Sequence, residues 1–288
     1  MLVSAEESFL RGSTGGAAML LLPIIVISLV GFVAPVVNLL VFSFQKAEAT
    51  GALLGGFTFD TWHDVITDPY YRELIANSVG ASLLITVLDL VLSYPIALYL
   101  HRSSGLRRTI LLVLVISPLL LSAVVRTYGW IAILADNGLI NQLLAKLGII
   151  NPYRMVFNML GVVIGLTEIL MPYMILALLA GFGRLDLRAE EAAATLGARP
   201  FVVFRRVTLP LSLPGILLGS LLCFVLAISS FITPKLLGGG RIFLLATEIY
   251  DQAIVTLNWP VAATLSGLIL AIFGVALVAY TRLLARLV

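Results

Sequence analysis

Two carboxylates lie inside apolar stretches: Asp89 near the middle of a run from about 76 to 100, and Glu168 near the middle of one from about 155 to 182. A charge at the centre of a membrane span costs about 2.5–3.5 kcal/mol unless it is paired or faces water, so each needs a reason. Pro172 follows Glu168 by four residues and removes the amide that the Glu168 carbonyl would otherwise accept from. A free carbonyl beside a carboxylate attracts cations. The alternatives are a carboxylate paired with a polar group on a neighbouring helix, or a protonated one. Arg126 and Lys235 carry the opposite sign; facing a passage, they would oppose a polycation and favour an anionic solute. Ser229, Ser230 and Thr233 either line a polar path or bond their own helix backbone. Covalent chemistry finds no support. His63 and His101 are far apart and no metal-ligating cluster accompanies them, no G-x-x-x-x-G-K-[S/T] phosphate loop occurs, and no catalytic pair stands at useful spacing. The chain reads as one that binds and passes solute, not as an enzyme.

Composition says what must position these groups. The 288 residues are 60% hydrophobic and 11% charged, with a mean hydropathy of +1.10, a balance that implies an all-α integral membrane protein. Six runs are long enough to span, at about 17–44, 76–100, 109–134, 155–182, 213–233 and 262–283, within one transmembrane domain covering 1–288. The first is too long for a signal-peptide core and lacks a small-residue cleavage site, so it is read as a retained span. Pro23 and Pro35 kink it, and Pro118 lies inside the third. Between the first two spans, residues 45–75 suggest one short amphipathic element at the outer surface. The net charge of +3 and pI near 9.1 have a topological explanation and do not call for nucleic acid. Arg11, Arg102, Arg107, Arg108, the five arginines between 184 and 206, Arg282 and Arg286 crowd one side; Lys46, Arg72, Lys146, Arg154, Lys235 and Arg241 are spread over longer segments on the other. That bias puts both termini in the cytoplasm. Trp62, Trp130 and Trp259 fall near interfaces. Gly161/Gly165 and Gly215/Gly219 have the spacing that lets helices approach, within the chain or across to a second one. Cys223 is the only cysteine, so no internal disulfide forms.

One polar stretch interrupts the apolar pattern. Residues 184–214, RLDLRAEEAAATLGARPFVVFRRVTLPLSLP, read as a helix-turn-helix between the fourth and fifth spans. Asp186 caps a first helix whose opening turns carry Glu190 and Glu191, where the helix dipole favours carboxylates. Gly197 ends it and Pro200 opens a second, with Phe201 and Phe204 on one face. Leu209-Pro210 and Leu213-Pro214 stop that second helix. Within the stretch stands a fixed spacing: Glu191-Ala192-Ala193, three residues, Gly197, nine residues, Val207, one residue, Leu209-Pro210.

That spacing resembles the EAA loop of ABC importer permeases. NSVGASLLITVLDLVLSYPIALYL from Asn77, RTYGWIAIL from Arg126, NGLINQLL from Asn137, ITPKLLGGG, and LNWP ending at Pro260 are similar to the spermidine/putrescine-type branch of that family, and most of 57–285 is covered. The resemblance implies a bacterial inner-membrane permease whose loop 184–212 is a cytoplasmic coupling element. Glu191, Ala192, Ala193, Gly197, Val207, Leu209 and Pro210 would dock it on an ATPase. It further implies a second permease chain, two ATPase subunits that bind the ATP and magnesium, and a periplasmic binding protein that delivers solute; the chain itself would hold no cofactor. Asp89, Arg126, Glu168, Ser229, Ser230 and Lys235 are the candidates for a solute path. Relatives of that branch often carry a neutral or acidic residue after the proline that precedes Lys235. This departure sets an opine-like or aminophosphonate solute beside a polyamine-like one. The rival reading, an ion-coupled secondary transporter using Asp89 and Glu168, would need no ATPase.

Overall fold

The computed structural model of the chain describes residues 14–47, 53–148, 154–185 and 187–286, and most of them are helical. Helix α1 (Thr14–Ser28) passes through a π turn at Leu29–Val33 into α2 (Ala34–Phe42), so the first apolar run is one helical rod despite its prolines. The segment after it departs from the all-helical expectation: β1 (Gln45–Ala47) pairs antiparallel with β2 (Leu53–Phe57). Aromatic packing holds this hairpin, with Phe44 stacked on Phe57 at 5.0 Å between ring centroids and edge-on to Phe59 at 5.3 Å. The amphipathic element expected there is α3 (Asp60–Thr67), with Val65 buried beneath it and Trp62 donating to Ser43 Oγ at 3.1 Å.

The remaining helices are α4 (Pro69–Arg102), α5 (Gly105–Ile116), α6 (Ala123–Leu134), α7 (Leu139–Lys146), α8 (Met159–Gly181), α9 (Leu187–Thr195), α10 (Pro200–Val203), α11 (Leu209–Ile228), α12 (Ile232–Leu237), α13 (Leu245–Tyr250) and α14 (Trp259–Ala285). The interior is the packing of α4, α8 and α11 around Ile85, Val162, Leu166, Met174, Leu178 and Cys223. Small residues allow it. A Cβ on Gly181 of α8 would strike the backbone of Gly215 on α11, and one on Gly219 would meet the Met174 sulfur. Gly165 is filled by Leu237 of α12, and Gly161 abuts the Met155 carbonyl. The G-x-x-x-G pairs therefore serve packing within the chain.

Two expectations are corrected. The third run is not one helix: after α5 a 3-10 turn at Ser117–Leu120 contains Pro118, Leu121 is extended, and Ser122 starts α6 afresh by accepting from the Val124 amide at 3.3 Å. The segments Gly105–Leu120 and Ala123–Lys146 diverge by 97°. A proline followed by a serine cap ends a helix where a proline alone kinks it. The described residues thus hold five helices long and apolar enough to cross a membrane, or six if the bent pair is one span. In the polar loop, Pro210 and Pro214 do not stop the second helix. A π turn at Phe204–Thr208 carries it into α11, the Leu209 amide reaching back five residues to the Phe204 carbonyl, and Pro200–Ile228 is continuous. The wider turn accommodates the amide that Pro210 cannot offer to the Arg206 carbonyl, while Pro214 lies inside α11 and is tolerated there. Asp186, the expected cap, lies outside the described residues.

Candidate functional site

The break before α6 places Arg126 in its first turn, facing α8. The Arg126 side chain is buried, 8% exposed; its Nη1 lies 3.6 Å from Glu168 Oε1, and its Nη2 donates to the Ile169 carbonyl at 3.3 Å. Trp130, one turn on, donates Nε1–H to Glu168 Oε2 at 3.0 Å. Of the alternatives left open for Glu168, the structure favours the paired one. The pair is not sealed: the Glu168 side chain is 34% exposed and forms part of the wall of a cavity of about 280 Å³ between α4, α5 and α8. The rest of that wall is nearly all apolar, with Ile96, Leu111, Pro118 and Met171 among its residues. A carboxylate on such a wall can hold the cationic end of a solute whose chain lies against the apolar side, in competition with Arg126.

Lys235 is also paired. Its Nζ donates to both oxygens of Asp251, at 2.6 and 2.8 Å, and lies 5.6 Å from the centroid of the Tyr250 ring. Asp251 opens the π turn Asp251–Val255 before α14, sixteen residues beyond Lys235. Neither periodicity nor motif links the two positions in the sequence, so only the fold reveals the pair. The repulsion expected of Lys235 against a polycation is thereby offset within the chain.

The other candidates for a path separate. Asp89 is fully buried on α4 beside the thiol of Cys223, which donates to the Leu170 carbonyl at 3.8 Å, and neither carboxyl oxygen has a nitrogen or oxygen hydrogen-bond partner among the described residues. Ser229 is exposed where α11 ends and returns its hydroxyl to the Val225 carbonyl at 2.7 Å; Ser230 follows it, half-buried, in the break before α12. Thr233 is buried and shares a hydrogen bond with Thr127 at 3.1 Å, which ties α12 to α6. Among the described residues no group of His, Cys, Asp and Glu is arranged to hold a metal.

In the polar loop, α9 ends on Gly197 at φ +82°, the Gly197 amide bonding the Ala194 carbonyl at 2.9 Å and the Ala198 amide that of Ala193 at 3.2 Å. This is a left-handed helix end that glycine adopts without strain. Glu190 faces inward: its Oε2 takes Arg102 Nη2 at 2.7 Å from the end of α4, and its Oε1 takes the Thr208 hydroxyl at 2.7 Å from the approach to α11. Glu191 and Ala192 face out with Leu196 and Phe201, which are 88% and 71% exposed, while Ala193, Val207 and Leu209 are half-buried and Pro210 is exposed. Sequence reading paired the two glutamates at the helix start; the fold separates an inward, paired Glu190 from an outward Glu191.

Comparison with known proteins agrees with this architecture. Residues 18–288 match the family described as binding-protein-dependent transport system inner membrane component. The spermidine/putrescine transport system permease protein PotB of Haemophilus influenzae is 32% identical over 261 residues, covering 90% of this chain and 91% of that protein. PotB of Escherichia coli is 35% identical over 227 residues, covering 78% and 82%. A chain in the crystal structure of a bacterial alginate ABC transporter, in complex with an alginate pentasaccharide-bound periplasmic protein, shares the fold with a TM-score of 0.75 at 16% identity, over 97% of this chain and 96% of that one. An exposed, glycine-terminated helix between two long spans, in a chain matched almost from end to end, leads to one conclusion: this protein belongs to the binding-protein-dependent inner-membrane permeases, the transmembrane components of ABC importers.

Proposed function

We propose that the chain is a polyamine-like solute's route through an importer powered by a separate ATPase. The observation that carries the solute class is Glu168, a carboxylate partly open to a cavity whose wall is otherwise nearly all apolar, which suits an alkyl chain ending in an ammonium group. Pairing of Lys235 with Asp251 removes the electrostatic objection to a polycation, and the permeases at 32–35% identity, which are named for spermidine and putrescine transport, point to the same class. In this reading the bent pair α5–α6 counts as one span, which makes six in a single domain with both termini in the cytoplasm. Helix α9 is then the coupling helix: Glu191, Ala192, Ala193 and Gly197 meet the ATPase, while Val207, Leu209 and Pro210 pass its movement to α11. A second permease chain completes the path, two ATPase subunits bind the ATP and magnesium, and a periplasmic binding protein delivers the solute. ATP binding draws the loops together and opens the spans outward to receive solute; hydrolysis resets them.

The test reconstitutes the whole complex in liposomes and adds the binding protein with radiolabelled spermidine. ATP-dependent accumulation that falls at least tenfold in Glu168→Gln is the expected result. Uptake of an opine-like or aminophosphonate solute with none of spermidine would refute the solute class, and uptake driven by an ion gradient without ATP would refute the mechanism.

A further inference from the structure

The Lys235–Asp251 pair has the make-up of a ligand site with its ligand attached. A primary ammonium is held by both oxygens of one carboxylate at 2.6 and 2.8 Å, near an aromatic ring whose centroid is 5.6 Å away. Phe231 stacks on that ring at 4.5 Å and fixes its orientation. A carboxylate with an aromatic face is the combination that recognises an alkylammonium ion. The occupant is a butylammonium arm, four methylenes and an NH3⁺, the same unit that ends a linear diamine. The arm is not sealed in, because the side chains of Lys235 and Asp251 are 34% and 22% exposed.

We infer that Asp251 and Tyr250 form an ammonium-binding site, occupied by Lys235 in this conformation, and that an ammonium group of an elongated amine solute displaces Lys235 as it passes. The exchange replaces one primary ammonium by another, so the carboxylate is never left without a cation. The site also connects inward. Thr233 lies two residues before Lys235 on the same short helix and bonds Thr127, whose neighbour Arg126 pairs with Glu168. Asp251 and Glu168 thus repeat one device at two positions, a carboxylate held by a cation of the chain itself. Glu248, one turn before Asp251, is different: buried, it takes hydrogen bonds from Tyr70 Oη at 2.8 Å and Gln252 Nε2 at 2.7 Å, so its oxygens are already engaged by neutral donors.

The inference rests on the amine-solute reading above, and its test separates the two. The purified permease–ATPase complex in lipid nanodiscs, without binding protein, is titrated with radiolabelled putrescine. Lys235→Met, which leaves Asp251 free, is expected to bind at least fivefold more tightly than the unmodified complex. The gain is expected to vanish in Lys235→Met/Asp251→Asn, and Lys235→Arg, which keeps a competing cation, is expected to stay near the starting affinity. Should Lys235→Met not assemble, Lys235→Gln makes the same comparison. Unchanged affinity on loss of the Lys235 charge, or a gain that survives in the double variant, overturns the site. Spermidine uptake by the unmodified complex reports on the amine reading alone: uptake with variants that all bind putrescine equally refutes only the site, and absence of uptake with the expected binding pattern refutes only the polyamine assignment.

Discussion

Gly215, where α8 crosses α11, and Gly197, at the end of α9, are required for opposite reasons. At Gly215 the demand comes from a neighbour: the Cα of Gly181 on the adjacent helix would lie only 2.9 Å from a Cβ placed there. At Gly197 it comes from the residue's own backbone, at φ +82° with open space around it. The first site is interior and joins two long helices; the second is exposed and shapes a loop. Packing in the first region and conformation in the second are thus separable, and substitutions there should fail in different ways.

The largest effect is expected from Gly215→Leu. Two helix backbones already in contact cannot admit a four-carbon side chain, and overpacking of this kind costs about 3 kcal/mol. The expected outcome is loss of a monodisperse complex in fluorescence-detected size exclusion, with little protein in the membrane fraction. Gly197→Val comes next. A β-branched residue at positive φ costs about 1–2 kcal/mol, confined to one helix end. The chain should therefore insert and purify normally, while stimulation of ATP hydrolysis by solute-loaded binding protein falls at least tenfold. Normal stimulation in Gly197→Val, or a normal elution profile for Gly215→Leu, would collapse the distinction.

The two sites also differ in how far the sequence discloses them. Gly197 was legible because its signal is local: acidic residues, three alanines, a glycine and a proline in order already describe a helix, its stop and a restart. The approach of α8 to α11 was half legible, since the 215/219 spacing marks a contact face but cannot name Gly181 as what lies against it. Hydropathy found the apolar runs yet was blind to their partners. The Leu21–Phe42 helix buries none of its most apolar stretch within the chain, whereas two thirds of the corresponding stretch of α8 is buried. Pro118 misled because kinking and terminating prolines look alike until the next cap is identified, here Ser122. Pro210 and Pro214 misled in the other sense, since a π turn cannot be read from composition. Asp251 gave no signal, because an ion pair that joins two short helices across the loop 238–244 has no period.

A smaller effect tests whether the loop is rigidly tied to the spans. Arg102 and Glu190 join the end of α4 to α9, but the Arg102 side chain is 47% exposed, and pairs of that kind contribute about 0.2–1 kcal/mol. Glu190→Gln should therefore lower stimulated ATP hydrolysis by about two- to threefold and leave the basal rate unchanged. Thr208, which bonds the other oxygen, would keep α9 near its place. The exchange Arg102→Glu/Glu190→Arg should recover most of the loss, whereas a purely structural requirement for the native glutamate would leave the exchanged pair as impaired as the single variant or worse.

Asp89 supplies the smallest expected effect and the sharpest contrast with Glu168. Both carboxylates sit inside long spans, yet Glu168 has Arg126, Trp130 and an opening to a cavity, while Asp89 is closed off with no nitrogen or oxygen hydrogen-bond partner at either carboxyl oxygen among the described residues. Asn has nearly the same shape and asks for less solvation, so Asp89→Asn should leave uptake within twofold and hold or raise the melting temperature of the complex by a few degrees, corresponding to about 1 kcal/mol. Glu168→Gln works the other way, since it leaves a buried guanidinium without its counter-charge and should lower the melting temperature as well as uptake. If Asp89→Asn abolished uptake while the complex stayed folded, Asp89 would exchange roles with Glu168. The interior of the α4–α8–α11 packing would then have to open during the cycle, because nothing in the present arrangement lets solute reach that carboxyl group.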